Sequence, residues 1–556
     1  MTPVKIVIVG GVAGGASAAT RARRLNESAE IVLLDKGPYV SFANCGLPYY
    51  IGGRIAKRSK LLVATQDDFK AKFRIDVRTR HEAVRIDRTA RLVHVRDCET
   101  GRASTESYDK LILAPGADPV LPGWADTGTA NMFVLRDLPD TDRIKAWLDR
   151  EKPARAVVVG GGYIGLEMVE SLHMRGVATS LVELQPHILP VMDDEMAARL
   201  ERVLVEQGVG LHLGVGVEGV DVREGRVVGV RLTDGTRLPA DMVIVSIGVR
   251  PNVKLAVEAG LETGPCGGIG VNGQLQTSDP DVYAVGDATE VAHQVTGTST
   301  YIPLAGPANR NGRLAGEHAA TGRAASATPV AGTAIVGLFG KAAAMTGLTV
   351  KAARKSGIDC EAVYTIAGHH AGYYPGAEQL LLKLVFDPSS RRILGAQAVG
   401  GEGVDKRIDV IATALRFSGT IDALAGVDLC YAPQFGSAKD PVHLAAFIAQ
   451  NVADGHVRQV LPGEATGEGQ LLDVRTAPEF AAGSLEGAVN IPLQELRERI
   501  SELDKDRPIL VMCGIGQRAY VACRILMQSG FADVRNLAGG YLMHKEYEVQ
   551  KRTSAG

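Results

Sequence analysis

The chain has 556 residues, 46% of them hydrophobic, and a formal net charge of −2. That length predicts roughly three to four domains, each with chain enough for a core, and the near-zero charge leaves no basic footprint for nucleic acid and no polybasic patch for a membrane. A strand-like run, Ile6–Val9, begins almost at once, leaving no room for a secretory signal, and no apolar stretch approaches a membrane span. The expected location is the cytoplasm. Seven cysteines (Cys45, Cys98, Cys266, Cys360, Cys430, Cys513 and Cys523) are odd in number and dispersed, which argues against a disulfide framework and against a zinc site.

The first strand runs into Gly10-Gly11-Val12-Ala13-Gly14-Gly15, then a small-residue helix start, then Ile31–Leu34 ending on Asp35. Strand, glycine turn, helix, strand and terminal acid form the unit in which a pyrophosphate rests on a helix N-terminus and the acid meets a ribose hydroxyl. Val12 stands where that pattern has its middle glycine and would crowd the phosphate unless Gly11 and Gly14 change the local path. Next comes Ser41-Phe42-Ala43-Asn44-Cys45-Gly46-Leu47-Pro48-Tyr49-Tyr50, with one cysteine and no second one nearby. A flavoprotein that reduces disulfides with its own thiol pair carries both sulfurs. Here any disulfide must be mixed, between Cys45 and a thiol of the substrate, or Cys45 must stop at sulfenic acid. Gly46 and Pro48 predict a turn, and a helix beginning beyond the cysteine is expected to lower its pKa.

A second glycine turn keeps all three glycines: Ala156–Val159 leads into Gly160-Gly161-Gly162-Tyr163-Ile164-Gly165, a helix opens at Leu166, and Thr179–Val182 ends on Glu183. A carboxylate there bonds the 2′-hydroxyl of NADH and repels the 2′-phosphate of NADPH, so NADH is the expected donor, with NADPH a possible substitute. Leu111–Ala117, with Ala114 and Gly116, and Thr277–Asp287, with Gly286 and Asp287, resemble the two later FAD-domain motifs of pyridine-nucleotide disulfide reductases. The nicotinamide unit is thus nested inside a split flavin unit.

From about Gly332 to Gln450 no phosphate fingerprint appears, and strand-like stretches alternate with a helix such as Arg407–Phe417. Its position and length suit a dimerisation domain. His369 and His370 have no partner pattern and read as satisfied polar residues rather than metal ligands. Two-cysteine reductases of this fold end the domain with a histidine and glutamate pair, and no such pair is evident near His443, so another group must protonate the leaving thiolate.

The turn with Val12, the Ser41–Tyr50 segment, Tyr373-Tyr374-Pro375-Gly376, Gly403–Asp409, Tyr431-Ala432-Pro433 and Lys439-Asp440 together resemble the coenzyme A disulfide reductase family over residues 1 to about 450. The resemblance implies that Cys45 forms a mixed disulfide with coenzyme A and that Tyr373 and Tyr431 reach it from the other subunit of a homodimer. A neutral phenol can donate its proton to a departing thiolate. It also implies coenzyme A contacts at Ser17, Arg21, Arg24, Ser41, Asn44, Asn309 and Lys439, and cofactor contacts at Pro303, Leu304, Ala305 and Gly248 besides the turns above. Guanidinium groups such as Arg21 and Arg24 suit phosphates.

After Gln450 a polar stretch containing Leu461–Gly469 reads as a connector. Beyond it, Leu471–Arg475, Glu479-Phe480, Gly487–Pro492 and Ile509–Arg518 resemble a single rhodanese domain over about 468–553. A cysteine ending an apolar strand, followed by Gly514, Gly516 and a helix start, sits above converging backbone amides that can hold a thiolate and then a persulfide. Arg518 is expected to add positive charge, and Cys523 to be core. Ser484 stands where rhodaneses often have histidine and Ala519 follows the loop arginine, which puts thiosulfate transfer in doubt.

The expected fold class is α/β: two nested Rossmann-like dinucleotide-binding domains for FAD and NADH, an α+β dimerisation domain and a C-terminal α/β rhodanese domain. The expected limits are 1–115, 116–245, 246–325, 326–450, a linker at 451–469, and 470–553. A flavin reductase of coenzyme A disulfide needs no sulfur-carrying domain, whereas a persulfide or polysulfide reductase releasing hydrogen sulfide does. That is the preferred reading. Its alternatives are a coenzyme A disulfide reductase, an NADH oxidase or peroxidase, and a redox-responsive sulfur carrier in which only Cys513 works.

Overall fold

The computed structural model describes residues 3–126, 128–464 and 469–555, side chains to 548. It comprises two compact units, Met1–Val182 with Gly216–Gly332, and Glu183–Val215 with Thr333–Gly556.

In the first unit strand Lys5–Val9, apolar from Ile6 on, lies between parallel strands Glu30–Asp35 and Lys110–Leu113, with Asp76–Thr79 and Val282–Ala284 at the edges. Val282–Ala284 is far away in sequence, so the sheet is closed by the segment carrying Gly286 and Asp287. A second parallel group pairs Arg155–Val159 with Ala178–Glu183 and with Met242–Val245, which in turn pairs with Met132–Phe133. Strands Ala117–Pro119 and Val249–Pro251, where the chain leaves and re-enters the first sheet, pair with each other. Runs such as Ile6–Ile8 and Val157–Val158 are buried on both faces, as parallel strands between helices require.

Helix Ala13–Leu25 crosses helix Ala305–Thr321 at backbone distance. A Cβ on Gly312 would lie 2.1 Å from the Gly14 carbonyl oxygen, and one on Gly316 would lie 2.2 Å from that of Ala18. These glycines fix the two helix N-termini beside the same flavin-type turn.

In the second unit, residues 334–400 form a five-stranded antiparallel sheet in the order Ala334–Leu338, Lys341–Gly347, Ile393–Gly400, Gln379–Phe386, Glu361–Gly368, accompanied by helices Val404–Arg416 and Pro441–Ala453. A five-stranded parallel sheet follows, in the order Arg458–Val460, Val534–Leu537, Ile509–Met512, Gln470–Asp473, Val489–Asn490. Its edge strand Arg458–Val460 lies within the stretch expected to be linker. That connector is therefore shorter than 451–469, because Arg458–Val460 satisfies its backbone against Arg535–Leu537. Ala465 to Glu468 of the expected linker lie outside the described residues.

Lys383, fully buried on the antiparallel sheet, donates to Asp193 at 2.7 Å and to Glu195, and the Tyr364 hydroxyl donates to Glu195 at 2.7 Å. Asp193 also accepts from Gln397 Nε2 at 2.6 Å and from the Val350 amide at 3.1 Å. Burial raises the Asp193 carboxyl, but Lys383, Gln397 and the Val350 amide outweigh it and hold the group below the ordinary range. Its contribution to stability is therefore complete at neutral pH and is lost as the pH falls through the ordinary carboxylate range toward the lower folded value. Removing the cation strands two carboxylates in the interior. Lys383→Met is expected to cost about 3–5 kcal/mol, visible by calorimetry as an earlier transition of the second unit.

Candidate active sites

Both glycine turns present helix N-termini open to an anion. Helix Ala13–Leu25 starts at Val12 and helix Tyr163–Met174 at Gly162; neither has a side-chain cap or an acid in its first turn. Their free amides and dipoles suit a pyrophosphate. Gly10 and Gly160 take φ of 98° and 105°, and a Cβ on either would strike the next strand's carbonyl, at Ala114 and Ser246. Gly15 and Gly165 pack on the Gly10 and Gly160 carbonyl oxygens, where a Cβ would come within 1.8 and 1.9 Å. Gly162 has no heavy atom near its Cβ position, which leaves the turn open above it.

Val12, half-buried at the helix start, is accommodated by its neighbours: Gly11 packs on Leu33 and Val40, and Gly14 on Val285. Asp35 accepts the Gly11 and Gly37 amides, both at 2.7 Å, so it shapes the turn, and burial raises its carboxyl. Ala114 and Gly116 lie past the end of strand Lys110–Leu113, Gly116 with φ of 70°. Gly286 opens a 3-10 turn with Asp287, whose half-buried carboxyl is raised by burial and whose carbonyl accepts from Tyr301 at 2.9 Å. Pro303 and Leu304 lead into helix Ala305–Thr321, whose N-terminus also has no side-chain cap. Around the second turn, Tyr163 opens the helix with its phenol pushed up to about 12 by burial, and Ile164 is exposed. Glu183 is buried and accepts the Gln185 amide at 2.7 Å, and Gly248 takes φ of 121°. The uncapped turns and the glycines fit a dinucleotide at each site.

Cys45 occupies a 3-10 turn, Asn44–Gly46, followed by helix Leu47–Ile51. That helix is stitched to helix Tyr163–Met174 and the residue after it. Tyr49 Oη donates to Glu167 Oε1 at 3.0 Å, Ser171 Oγ to the Pro48 carbonyl at 2.8 Å, and Arg175 to the Ile51 carbonyl at 3.1 Å; Arg54 pairs with Glu170 at 2.7 Å. The expected lowering of the thiol by the following helix is not met. Burial of the thiol group pushes Cys45 up, as do the carboxylates of Glu167 and Asp287. The five-residue helix is capped by Gly46, one residue beyond the sulfur-bearing position, and its dipole does not offset two facing acids.

Ser17, Arg21, Arg24 and Asn309 fall on the crossing helices. Ser17 Oγ donates to Asn309 Oδ1 at 2.7 Å, Arg21 is paired with Glu317, and Arg24 is exposed, 5.7 Å from the Phe73 ring centroid. The charge of Arg21 is thus shared with a carboxylate, and Arg24 is the more available of the two. Ser41 takes a left-handed φ of 47° and ties its amide to the Gly11 carbonyl at 2.8 Å, which joins the Cys45 segment to the first turn; Asn44 is exposed.

In the second unit the hydroxyls of Tyr373 and Tyr431 lie 3.0 Å apart, although the residues are 77% and 50% exposed. Both phenols are thus at the surface with their hydroxyls bonded to each other. Lys439 is exposed, next to the buried Asp440–Arg407 pair. The His369 and His370 ring centroids lie 4.1 Å apart with the planes tilted by 57°, and His443 Nε2 lies 2.7 Å from the Val427 carbonyl. Among the described residues no cluster of three or more His, Cys, Asp or Glu is arranged for a metal.

Cys513 is buried at the end of strand Ile509–Met512, and its Sγ accepts the Gly516 amide at 3.1 Å. Gly516 takes φ of 96° and starts helix Gln517–Gln528 without a side-chain cap. The loop is backed by Gly540, where a Cβ would strike the loop backbone, and by the Tyr541 and Leu542 amides on the Cys513 and Gly514 carbonyls. Arg518 brings its positive charge to the loop as expected, its guanidinium facing the Cys513 thiol, but it shares that charge with a carboxylate. Its guanidinium is paired with Glu479, whose carboxyl it holds down to about 2. Cys523 is core, pushed up to about 12 by burial. Glu167, Tyr49 and Glu479 escaped assignment in the sequence, although each lies in a segment singled out for other residues.

The pyridine nucleotide-disulphide oxidoreductase model matches residues 4–312, its dimerisation domain 333–441, and a rhodanese-like domain 460–545. A coenzyme A disulfide reductase of Staphylococcus epidermidis is 34% identical over 446 residues, 80% of this chain and all of the relative. The chain belongs to the coenzyme A disulfide reductase family. It is a flavoprotein oxidoreductase with an added rhodanese domain. Two solved structures span nearly its whole length. A reduced Bacillus anthracis CoADR-RHD is 44% identical, with a TM-score of 0.95 over 99% of both chains. An NAD-dependent persulfide reductase from A. fulgidus is 37% identical, with a TM-score of 0.91 over 97% of this chain and 99% of that one. The family implies FAD and NAD(P)H, in agreement with the two open turns. No described helix is long and apolar enough to cross a membrane.

Glu167→Gln removes a like charge facing Cys45 and keeps an acceptor for Tyr49. Alkylation of Cys45, followed by mass across neutral to alkaline pH, should shift its midpoint to lower pH, with a several-fold faster reaction at neutrality. Glu170→Gln, whose carboxylate is already matched by Arg54, should leave the midpoint in place.

Proposed function

We propose that the protein is an NADH-dependent reductase of coenzyme A persulfide, and of related persulfides and polysulfides, that releases hydrogen sulfide. The observation that carries this reading is the pairing, in one chain, of a single cysteine at the flavin-type site with a second, Cys513, held by a backbone amide in a sulfur-accepting loop. The curated disulfide reductase stops before the rhodanese region, whereas the two structures that span the whole chain include a persulfide reductase.

FAD supplies the two-electron relay between NADH and sulfur when bound. The turns at Gly10–Gly15 and Gly160–Gly165 hold the two dinucleotides by their backbone amides, and Glu183 favours NADH. Cys45, as thiolate, attacks the inner sulfur of the persulfide: the Cys45–S–S–CoA bond forms, the bond to the outer sulfur breaks, and hydrosulfide leaves with the electron pair. Two electrons and two protons then return Cys45 and coenzyme A to thiols. Glu167 and Asp287 disfavour the thiolate. Tyr373 and Tyr431 of a partner subunit supply the proton to the departing coenzyme A thiolate, which accounts for two mutually bonded phenols at an exposed position. Arg24, Ser41, Asn44 and Lys439 bind coenzyme A together with Ser17, Arg21 and Asn309. Cys513 collects sulfane sulfur and hands it to a coenzyme A thiol.

The test is anaerobic NADH oxidation by the FAD-loaded protein with coenzyme A persulfide and with coenzyme A disulfide, sulfide being quantified. Stoichiometric sulfide, abolished by Cys45→Ser, is expected; better turnover of the disulfide would return the protein to the simpler reductase. Cys513→Ser should spare coenzyme A persulfide and slow polysulfide. Tyr431→Phe should lower turnover about 10²-fold, with the coenzyme A adduct persisting on Cys45 by mass.

A further inference from the structure

The Cys513 loop lies between two arginines, and each is matched by a carboxylate. Arg475 is buried; its Nε and Nη2 donate to Asp473 at 2.6–3.0 Å and its Nη2 to the Gly483 carbonyl at 2.6 Å. Its guanidinium stacks 4.4 Å from the ring centroid of Tyr541, the residue whose amide donates to the Cys513 carbonyl. Arg518, on the loop itself, lies 3.6 Å from the Cβ position of Gly514. Its Nη1 and Nη2 donate to Glu479 Oε2 and Oε1 at 2.8 and 2.6 Å, the two-bond fork that neutralises a guanidinium most fully. Glu479 is anchored in turn. Its Oε2 accepts the Thr476 amide at 3.0 Å and hydroxyl at 2.8 Å, closing a capping box on helix Ala477–Ala481. From Cys513 to Arg518 the loop holds no other cation.

Such a cradle offers an incoming donor backbone amides and a helix N-terminus, enough for one sulfur-centred charge. A doubly charged oxyanion such as thiosulfate needs a cation for its sulfonate end and for the sulfite dianion it releases. Both local guanidiniums are matched by a carboxylate, and Arg518 faces the Cys513 thiol with its charge already shared with Glu479. We propose that Glu479 determines donor specificity at Cys513: by chelating Arg518 it closes the loop to oxyanionic sulfur donors and leaves it to persulfides and polysulfides. The inference rests on Cys513 being a sulfur acceptor. In the favoured step the Cys513 thiolate attacks the outer sulfur of R–S–SH, a bond forms between Cys513 Sγ and that sulfur to give Cys513–S–SH, the donor's S–S bond breaks, and RS⁻ leaves with the electron pair and is protonated by water. No external oxidant or reductant is required.

The full-length, FAD-loaded protein is offered thiosulfate or inorganic polysulfide. Mass spectrometry reads the gain of one sulfur on Cys513, and thiosulfate-to-cyanide transfer is measured alongside. Wild type should load from polysulfide and poorly from thiosulfate. Glu479→Gln keeps the capping box but frees the Arg518 charge. It should raise kcat/KM for thiosulfate about tenfold, through KM and reversibly with added salt, while polysulfide loading changes less than about twofold. Glu479→Ala, which also loses the cap, should move the donor ratio the same way, and Glu479→Gln with Arg518→Met should forfeit the gain. Equal use of the two donors by wild type, or an unchanged ratio in both Glu479 variants, overturns the assignment. Failure of Cys513 to load from either donor removes instead the reading of Cys513 as an acceptor, and the assignment with it.

Discussion

Helix Tyr163–Met174 carries a nucleotide turn at its N-terminus and the cysteine segment along its flank. Tyr49, Pro48 and Arg54 are fixed to it at Glu167, Ser171 and Glu170, and Ile51 to Arg175 just beyond. The ends of the electron path in the first unit are thus tied through one rigid element rather than through loops. This matters because a lone cysteine has no partner sulfur to hold it in place: its position has to come from the backbone around it. The glycine contacts between helices Ala13–Leu25 and Ala305–Thr321 do the same for the other turn.

Charge is handled differently at the two thiols. At Cys45 the nearby groups are carboxylates, one of them bonded only by a tyrosine, so the environment resists a second negative charge. At Cys513 the sulfur meets a backbone amide and the Arg518 guanidinium, and the arginines around it are paired with Asp473 and Glu479. The two thiols thus face opposite surroundings, carboxylates at the first and N–H donors at the second.

The architecture and the turns that carry Cys45 and Cys513 were legible in the sequence because their signals are local. A glycine turn between a strand and a helix, an acid at the next strand's end, and a cysteine at a strand-to-loop junction each lie within about thirty residues. What was not legible is pairing across distance. Tyr49 meets Glu167, Lys383 meets Asp193, and Arg518 meets Glu479 over separations of 118, 190 and 39 residues. No periodicity predicts which acid finds which base. The thiol of Cys45 departs from expectation for this reason: a helix start is visible in sequence, but two carboxylates converging from Glu167 and Asp287 are not. Strand Arg458–Val460 reads as linker in sequence because three residues between polar stretches carry too little pattern, and the neighbouring strand at Val534–Leu537 makes them a sheet edge.

The same edge strand bears on how far the rhodanese domain can move. Only Asp454–Val457 separate helix Pro441–Ala453 from strand Arg458–Val460, and four extended residues reach at most about 14 Å. Arg354 further ties this region to Glu464 at 3.0 Å, and Arg202 holds Glu546 of the last helix at 2.6 Å. The rhodanese domain is thus moored rather than slung on a swinging arm. Any swing of this domain about its four-residue connector would first have to open the Arg354–Glu464 and Arg202–Glu546 pairs.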